Sequence, residues 1–470
     1  MVFEMARVSN WLGCCYQARL VFYLGWMVWP GSTTTVPKEL QTRGNLTKMK
    51  TASTLAINGG QPVCSQPWPV RKAYADAEKQ VVVKVMDRAL EASNNISYSG
   101  PEEEGYCQEF AAFLGGGFSD GVNSGSSAVW VALRALEIEP FTEVIVPPTS
   151  DQGSFMPVVL NNCIPVPADS MPASHNTGPE QVANAITERT RAIIVAHTAG
   201  YAVDIDPIVE MAHSRGIGVI EDCAQAHGTR YKGRYVGTMG DVASFSTMFG
   251  KQHSTGSQGG VVFTTDEQMY WRMRRSADRG KPFGLPESAD VRDNVIAAHN
   301  LNLDELSCAI GRAQLKRLPE YIVARRRFVE QVSAGCQAYV STIWPEAELP
   351  ESESSYWRVF FTLDIDRLAV DKETYIKALV AEGFPVQTYR YPVTEFPWYR
   401  ERSVFGASGY PWTGPLYEGD PDQVYPLPNL DDADRRQFYV PIHEGCGEVE
   451  ARNLVAAFVK IEAAFGKRAV

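Results

Sequence analysis

The chain has 470 residues, with 44% hydrophobic and 21% charged side chains and a net charge of −11 at neutral pH. That length predicts a large domain plus a smaller one, and the acidic balance with no basic stripe excludes a nucleic-acid surface. Nine cysteines without a CxxC pair predict reduced thiols in a cytoplasmic protein and argue against a metal site.

At the N-terminus, LVFYLGWMVW (20–29) is apolar but short for a membrane span, and no small-residue cleavage signal follows it. Globular patterning starts after Met49. The expectation is a disordered leader or mis-assigned extension over 1–48, a cofactor-binding α/β domain over 49–335, and a small α+β domain over 336–470. Helical spacing runs through 71–96 and again through SSAVWVALRALEI (126–138), which is entered by the small-residue turn GVNSG. EVIVPP (143–148), RAIIVAH (191–197) and GIGVIED (216–222) read as buried strands, with PIVEMAHSRG (207–216) as a crossover helix. Strands alternating with helices predict a mostly parallel sheet in a three-layer α/β/α domain. DVASFS (241–246) and GGVVFTT (259–265) are two further strands. A long helix over 304–335 follows, in which ARRR (324–327) reads as a solvated face. YWRVFFTLDI (356–365), TYIKALVAEGF (374–384) and VEARNLVAAFVKIEAAF (449–465) supply the smaller α+β domain, and 406–430 reads as a long loop.

The last two strands of the large domain bracket FSTMFGKQHSTGSQGG (245–260), where Lys251 is the one charged side chain among small and apolar neighbours. A lysine buried in such surroundings has its pKa lowered and its amine freed for chemistry, whereas a loop lysine stays solvated. Glu221 and Asp222 end a buried strand, and ligands of α/β sheets collect at strand carboxyl ends. A carboxylate there either caps the next loop or sits under a heterocyclic cation. GVNSGSS opens a helix whose N–H groups can hold an anion, and Ser246 adds a hydroxyl. An aldehyde-binding amine, a ring-nitrogen carboxylate and a phosphate anchor are together what pyridoxal phosphate requires. No GxxxxGK[ST] or GxGxxG motif offers a competing nucleotide site.

From about residue 54 onward the chain resembles the DegT/StrS sugar and cyclitol aminotransferases, fold-type I enzymes dependent on pyridoxal 5′-phosphate. GVIEDCAQAHGTRYKGRYVGTMGDVASFS carries the likeness almost throughout, together with SGSSAVWVALRAL (124–136) and HNLNLDELSCAIGRAQLKRL (299–318). The resemblance implies that Lys251 forms the Schiff base, Asp222 pairs with the pyridinium nitrogen and Gln225 lies near the phenolic oxygen. It also implies that Gly125, Ser126 and Ser246 bind the phosphate, and that Asn300 reaches the phosphate of a neighbouring subunit, so that a homodimer shares its active sites. The implied reaction carries an amino group from L-glutamate or L-glutamine to a keto-sugar or keto-cyclitol. LAINGGQPVCSQPWPV (55–70) is closer to the glutamine:cyclitol members than to the nucleotide-sugar members.

Three departures bear on the substrate. Asp151 stands where the family has an aromatic against the cofactor ring, with Phe155 as the candidate replacement. Asn302 stands where an arginine is usual, and HTAGY (197–201) displaces a substrate-facing aromatic to Tyr201. His197 and His227 read as packing or loop residues, while His253 reads equally as a substrate contact or a supporting donor. The alternatives are a dehydratase of the same family, whose members replace the lysine by histidine, and a cofactor-binding regulatory homologue without turnover.

Overall fold

The computed structural model describes residues 54–91, 95–286, 290 and 292–467; the expectation for 1–48 lies outside them. Seven strands form the central sheet in the order β1-β9-β8-β5-β4-β2-β3. They are β1 (Phe118–Val122), β2 (Glu143–Val146), β3 (Ile164–Pro167), β4 (Thr190–Ala196), β5 (Gly218–Asp222), β8 (Val242–Ser246) and β9 (Gly260–Thr264). β8, β5, β4, β2 and β3 pair in parallel, and β9 alone runs against its neighbours β1 and β8. β2, β3 and β9 are buried along their whole length, and β4, β5 and β8 nearly so, as expected for a sheet covered on both faces. α1 (Asp76–Glu91) packs against the long helix Glu305–Tyr339, and the helices covering the sheet include α2 (Pro101–Phe113), α3 (Gly125–Ala135), α4 (Met156–Leu160), α5 (Pro179–Ala185), α6 (Ile205–His213) and α7 (Glu267–Ala277).

Register brings three strand ends to one place. Gly260 of β9 pairs with Val122 on one side and Ser246 on the other, and Asp222 pairs with Ser244. The carboxyl ends of β1, β8 and β5 therefore share one edge. Glycine is needed at 260, because a Cβ there would lie 2.4 Å from the Ser124 carbonyl oxygen.

α8 (Glu305–Tyr339) is capped by Asp304, which accepts from the Ser307 N–H. Its first half, with Cys308, Leu315 and Leu318, packs into the core beneath the seven-stranded sheet. Beyond Pro319, Phe328, Val329, Val332 and Cys336 enter a separate core. That second core lies on the antiparallel sheet β10-β12-β13: β10 (Ile343–Pro345), β12 (Arg358–Leu363) and β13 (Gln437–Pro441). The helices α9 (Lys372–Ala381), α11 (Pro428–Arg436) and α12 (Glu448–Phe465) belong to the same region, and Phe360, Phe361, Phe438 and Phe458 fill its interior. Short strands β6 (Arg230–Tyr231), β7 (Arg234–Tyr235) and β11 (Ser352–Glu353) form a third sheet, and α10 (Pro397–Arg400) sits in the long connection before α11.

The expected strands and the helices at 126–138, 207–216 and 304–335 are present to within a few residues. The helix expected over 71–96 begins only at Asp76, because Arg71 to Ala75 run irregularly across the lysine loop. Among the described residues no helix is long and apolar enough to cross a membrane.

Candidate active site

Lys251 lies in the loop between β8 and β9 and is 6% exposed. Two other lysines, Lys460 and Lys372, are equally buried, and each is ion-paired: Lys460 to Glu382 at 2.8 Å and Lys372 to Asp434 at 3.6 Å. Among the described residues no hydrogen bond or ion pair holds the Lys251 ammonium. It rests on an indole instead, with Nζ 3.9 Å from the centre of the Trp357 ring. Burial pulls its pKa down to about 8, resisted by the charge of Asp222, reinforced by Arg358 and resisted again by Asp151.

Asp222, at the end of β5, is buried. Its Oδ2 accepts from the Ser154 hydroxyl at 2.6 Å and its Oδ1 from the Ala224 N–H at 3.0 Å. Burial raises its pKa, and these two donors oppose the rise. Glu221 beside it points to the other face. There both oxygens are used, one by the N–H groups of Met239 and Gly240, the other by Gly237 N–H and His197 Nε2. His197 Nδ1 accepts from Val203 N–H. His197, Glu221 and Cys223 lie close enough together to suggest a metal site. With the carboxylate and both ring nitrogens already bonded, the group is a structural brace.

The end of β1 leads into the start of α3. Ser124 caps it by accepting from Ser127 N–H at 3.1 Å, and Ser127 donates on to Asn123. The N–H groups of Gly125 and Ser126 belong to the first turn, which offers them no intrahelical partner. Ser246 closes the other side: a Cβ on Gly125 would meet the Ser246 Cβ at 2.6 Å, so glycine permits the approach. Gln225 bridges the sheet to the C-terminal region, accepting from Ala199 N–H at 2.8 Å and donating to the Tyr389 hydroxyl at 3.0 Å.

Residues from both ends of the chain complete the surroundings. Arg71 donates to the carbonyls of Lys251 at 2.7 Å and Gln252 at 3.2 Å while pairing with Glu444 at 2.8 Å. Trp357 donates its indole N–H to the Gly250 carbonyl at 2.8 Å, which fixes the ring against the lysine loop. The guanidinium of Arg358 lies 4.0 Å from the same indole, 4.5 Å from Tyr439 and 5.1 Å from Tyr389.

The sequence profile of the DegT/DnrJ/EryC1/StrS aminotransferase family matches residues 76–452. The chain belongs to this family. It is 30% identical over 430 residues to the L-glutamine:2-deoxy-scyllo-inosose aminotransferase of Streptomyces lividus, covering 87% of this chain and 98% of that one. To the 3-amino-5-hydroxybenzoate synthase of Amycolatopsis mediterranei it is 34% identical over 261 residues, which is 55% of this chain and 64% of the relative. The crystal structure of an aminotransferase from Psychrobacter cryohalolentis superposes with a TM-score of 0.70 at 27% identity, over 83% of this chain and 97% of the other. The fold is accordingly that of the fold-type I aminotransferases, and the family's cofactor is pyridoxal 5′-phosphate.

Several expectations need correction in this aminotransferase. Phe155 does not replace the missing aromatic: it is fully buried in the core and packs towards Phe396, with ring centres 6.4 Å apart. The ring against Lys251 is Trp357, from β12's leading edge. Asp151 caps a short turn by accepting from Gly153 N–H at 3.0 Å. Tyr201 is likewise interior, edge-on to Tyr356. His253 is fully buried against Tyr106, whose hydroxyl lies 2.7 Å from Nε2, as a supporting group would be, and burial pulls its pKa down to about 3. ARRR is not all solvated. Arg325 is 1% exposed and donates to the Tyr356 and Ile442 carbonyls and to Glu444. Asn300 is exposed and paired in backbone with Asp278, its Oδ1 accepts from the Asn302 amide at 2.8 Å, and the next residues, Leu301 and Asn302, pair with Asn123 and Val122 at the end of β1.

Proposed function

We propose that this aminotransferase moves an amino group from L-glutamine or L-glutamate to a keto-cyclitol or keto-sugar, with pyridoxal phosphate held at Lys251. The observation that carries the reading is the buried Lys251 ammonium left without a carboxylate partner while Lys460 and Lys372 have theirs. The donor and acceptor classes rest on the 30% identity to the Streptomyces lividus enzyme over nearly its whole length.

The residues fit the group. Gly125 and Ser126 offer first-turn N–H groups and Ser246 a hydroxyl to a phosphate, where the helix dipole also favours negative charge. Asp222 offers a buried carboxylate to a ring N–H, and Gln225 an amide to a ring hydroxyl. Bound pyridoxal phosphate supplies an electron-accepting ring to the carbon that loses its proton. Lys251, with a pKa of about 8, carries a useful fraction of free amine near neutrality and takes that proton from the donor Cα. Asp222 holds the proton on the ring nitrogen. Trp357 keeps water from one side of the amine.

The exposed position of Asn300 suits a residue that completes the phosphate site of a partner in a homodimer; sedimentation of the purified protein tests the dimer. The separate cores support a division near residue 335 into a cofactor-binding and a C-terminal domain. Seven free cysteines among the described residues suit the cytoplasm.

The visible spectrum of protein reconstituted with pyridoxal phosphate tests the reading. The cofactor band should bleach on adding L-glutamine or L-glutamate and recover with a keto-cyclitol or keto-sugar. A band that no amino acid moves would sink it.

A further inference from the structure

Arg358 opens β12 half-buried, with its guanidinium near the aromatic rings of Trp357, Tyr439 and Tyr389. Ring faces satisfy the face of a guanidinium but not its edge, which carries five N–H donors in a rigid fork. Among the described residues no carboxylate, carbonyl or hydroxyl accepts from that edge. Buried Arg325 and half-buried Arg274 differ: Arg325 reaches two carbonyls and Glu444, and Arg274 lies 3.5 Å from Asp120. The unpaired fork sits beside the lysine amine, since the Trp357 indole carries Lys251 Nζ at 3.9 Å and the guanidinium carbon at 4.0 Å. The acids near Lys251 are committed, Asp222 to Ser154 and Ala224, and Asp151 to Gly153.

An amino donor reacting at Lys251 must hold its Cα next to that amine. Its α-carboxylate is one bond further on, in the region where the same indole holds the Arg358 guanidinium at 4.0 Å. A planar carboxylate matches a guanidinium fork with two parallel hydrogen bonds, which a lysine cannot reproduce. We propose that Arg358 binds the α-carboxylate of the amino donor and so selects an α-amino acid over a plain amine for the first half of the reaction. This rests on the aminotransfer reading above and assigns a residue that the family likeness did not single out.

The test compares the first half-reaction of wild type, Arg358→Gln and Arg358→Lys with L-glutamine and with γ-aminobutyramide, the same molecule without its carboxylate. Arg358→Gln should raise the apparent Kd for L-glutamine by about 30- to 100-fold while the limiting rate changes by less than about fivefold. Arg358→Lys should recover part of the loss, and wild type and Arg358→Gln should treat γ-aminobutyramide alike. Unchanged affinity for L-glutamine overturns the assignment. So does an equal loss for both amines, which is a structural effect, or a loss confined to the second half-reaction, which gives the guanidinium to the acceptor. A wild type that ignores every amino acid overturns the donor reading and this assignment with it. Should Arg358→Gln fail to fold, propionate decides on wild type: it should compete with L-glutamine, and absence of competition refutes the proposal.

Discussion

The floor and the roof of the site are built differently. The floor comes from the carboxyl ends of β1, β5 and β8, where register brings Asp222 and Ser246 to one edge of a buried sheet and the start of α3 sets Gly125 against Ser246. The roof comes from the start of β12 and from Tyr389 and Tyr439, aromatic side chains around two cations. A floor of sheet ends holds groups to the geometry that bond making and breaking needs. A roof of rings offers area and charge, which suits recognition. The difference teaches that changes in the floor should strike turnover, and changes in the roof should strike substrate affinity.

Lys251→Ala is the severest way to break that contrast, and it should lower turnover by about 10⁴-fold or more with the fold retained, checked by steady-state rates and circular dichroism. Multiple turnovers at near wild-type rate would remove the lysine from the chemistry. Asp222→Asn should cost about 10²- to 10³-fold in kcat with little change in KM; a KM effect alone would make Asp222 part of the recognition surface. A third substitution sharpens the contrast through stability. Unfolded, the Lys251 amine keeps its proton to about 10.5, and folded it releases it near 8. Between those values the unfolded chain binds more protons, so this group's penalty is full below pH 8 and fades as pH rises to 10.5. Lys251→Met should therefore stabilise the cofactor-free protein at pH 7 by about 1–3 kcal/mol in urea denaturation, with the gain shrinking towards pH 10.5.

On the roof, Trp357→Ala should raise the donor KM about tenfold and lower kcat less, since it removes the indole beneath both cations. The smallest effect belongs to Ser154→Ala. It removes one hydrogen bond of 2.6 Å to Asp222, and the acid limb of the kcat profile should move to higher pH with only a few-fold loss at its plateau.

The two halves were also unequally legible. The floor is visible in sequence because buried parallel strands are continuous apolar runs, and a polar residue at the end of such a run stands out: Asp222 after GIGVIE, Ser246 after DVASF. β1 is hidden because FSDGV has no apolar pattern, although it is mostly buried. The roof is hidden for another reason. Trp357 and Arg358 head a strand whose pattern announces only burial, and what they face depends on pairing with residues some 80 positions later. Arg325 carried a signal that charge obscured. It shares the helix face of Leu318, Tyr321, Phe328 and Val332, all buried, and that spacing marks a core position whatever the residue.

Arg71 ties the lysine loop to Glu444, 373 positions away in the chain, and Glu444 in turn holds Arg325. Contacts between such distant segments form late, after the entropy of closing a long loop has been met. During synthesis, then, the sheet can assemble with its lysine already in the chain, yet the Arg71 tie across the loop that presents the amine gains its carboxylate partner only once Glu444 has left the ribosome. Refolding should show the same delay, with the central sheet regaining its structure before the protein regains the capacity to take up pyridoxal phosphate.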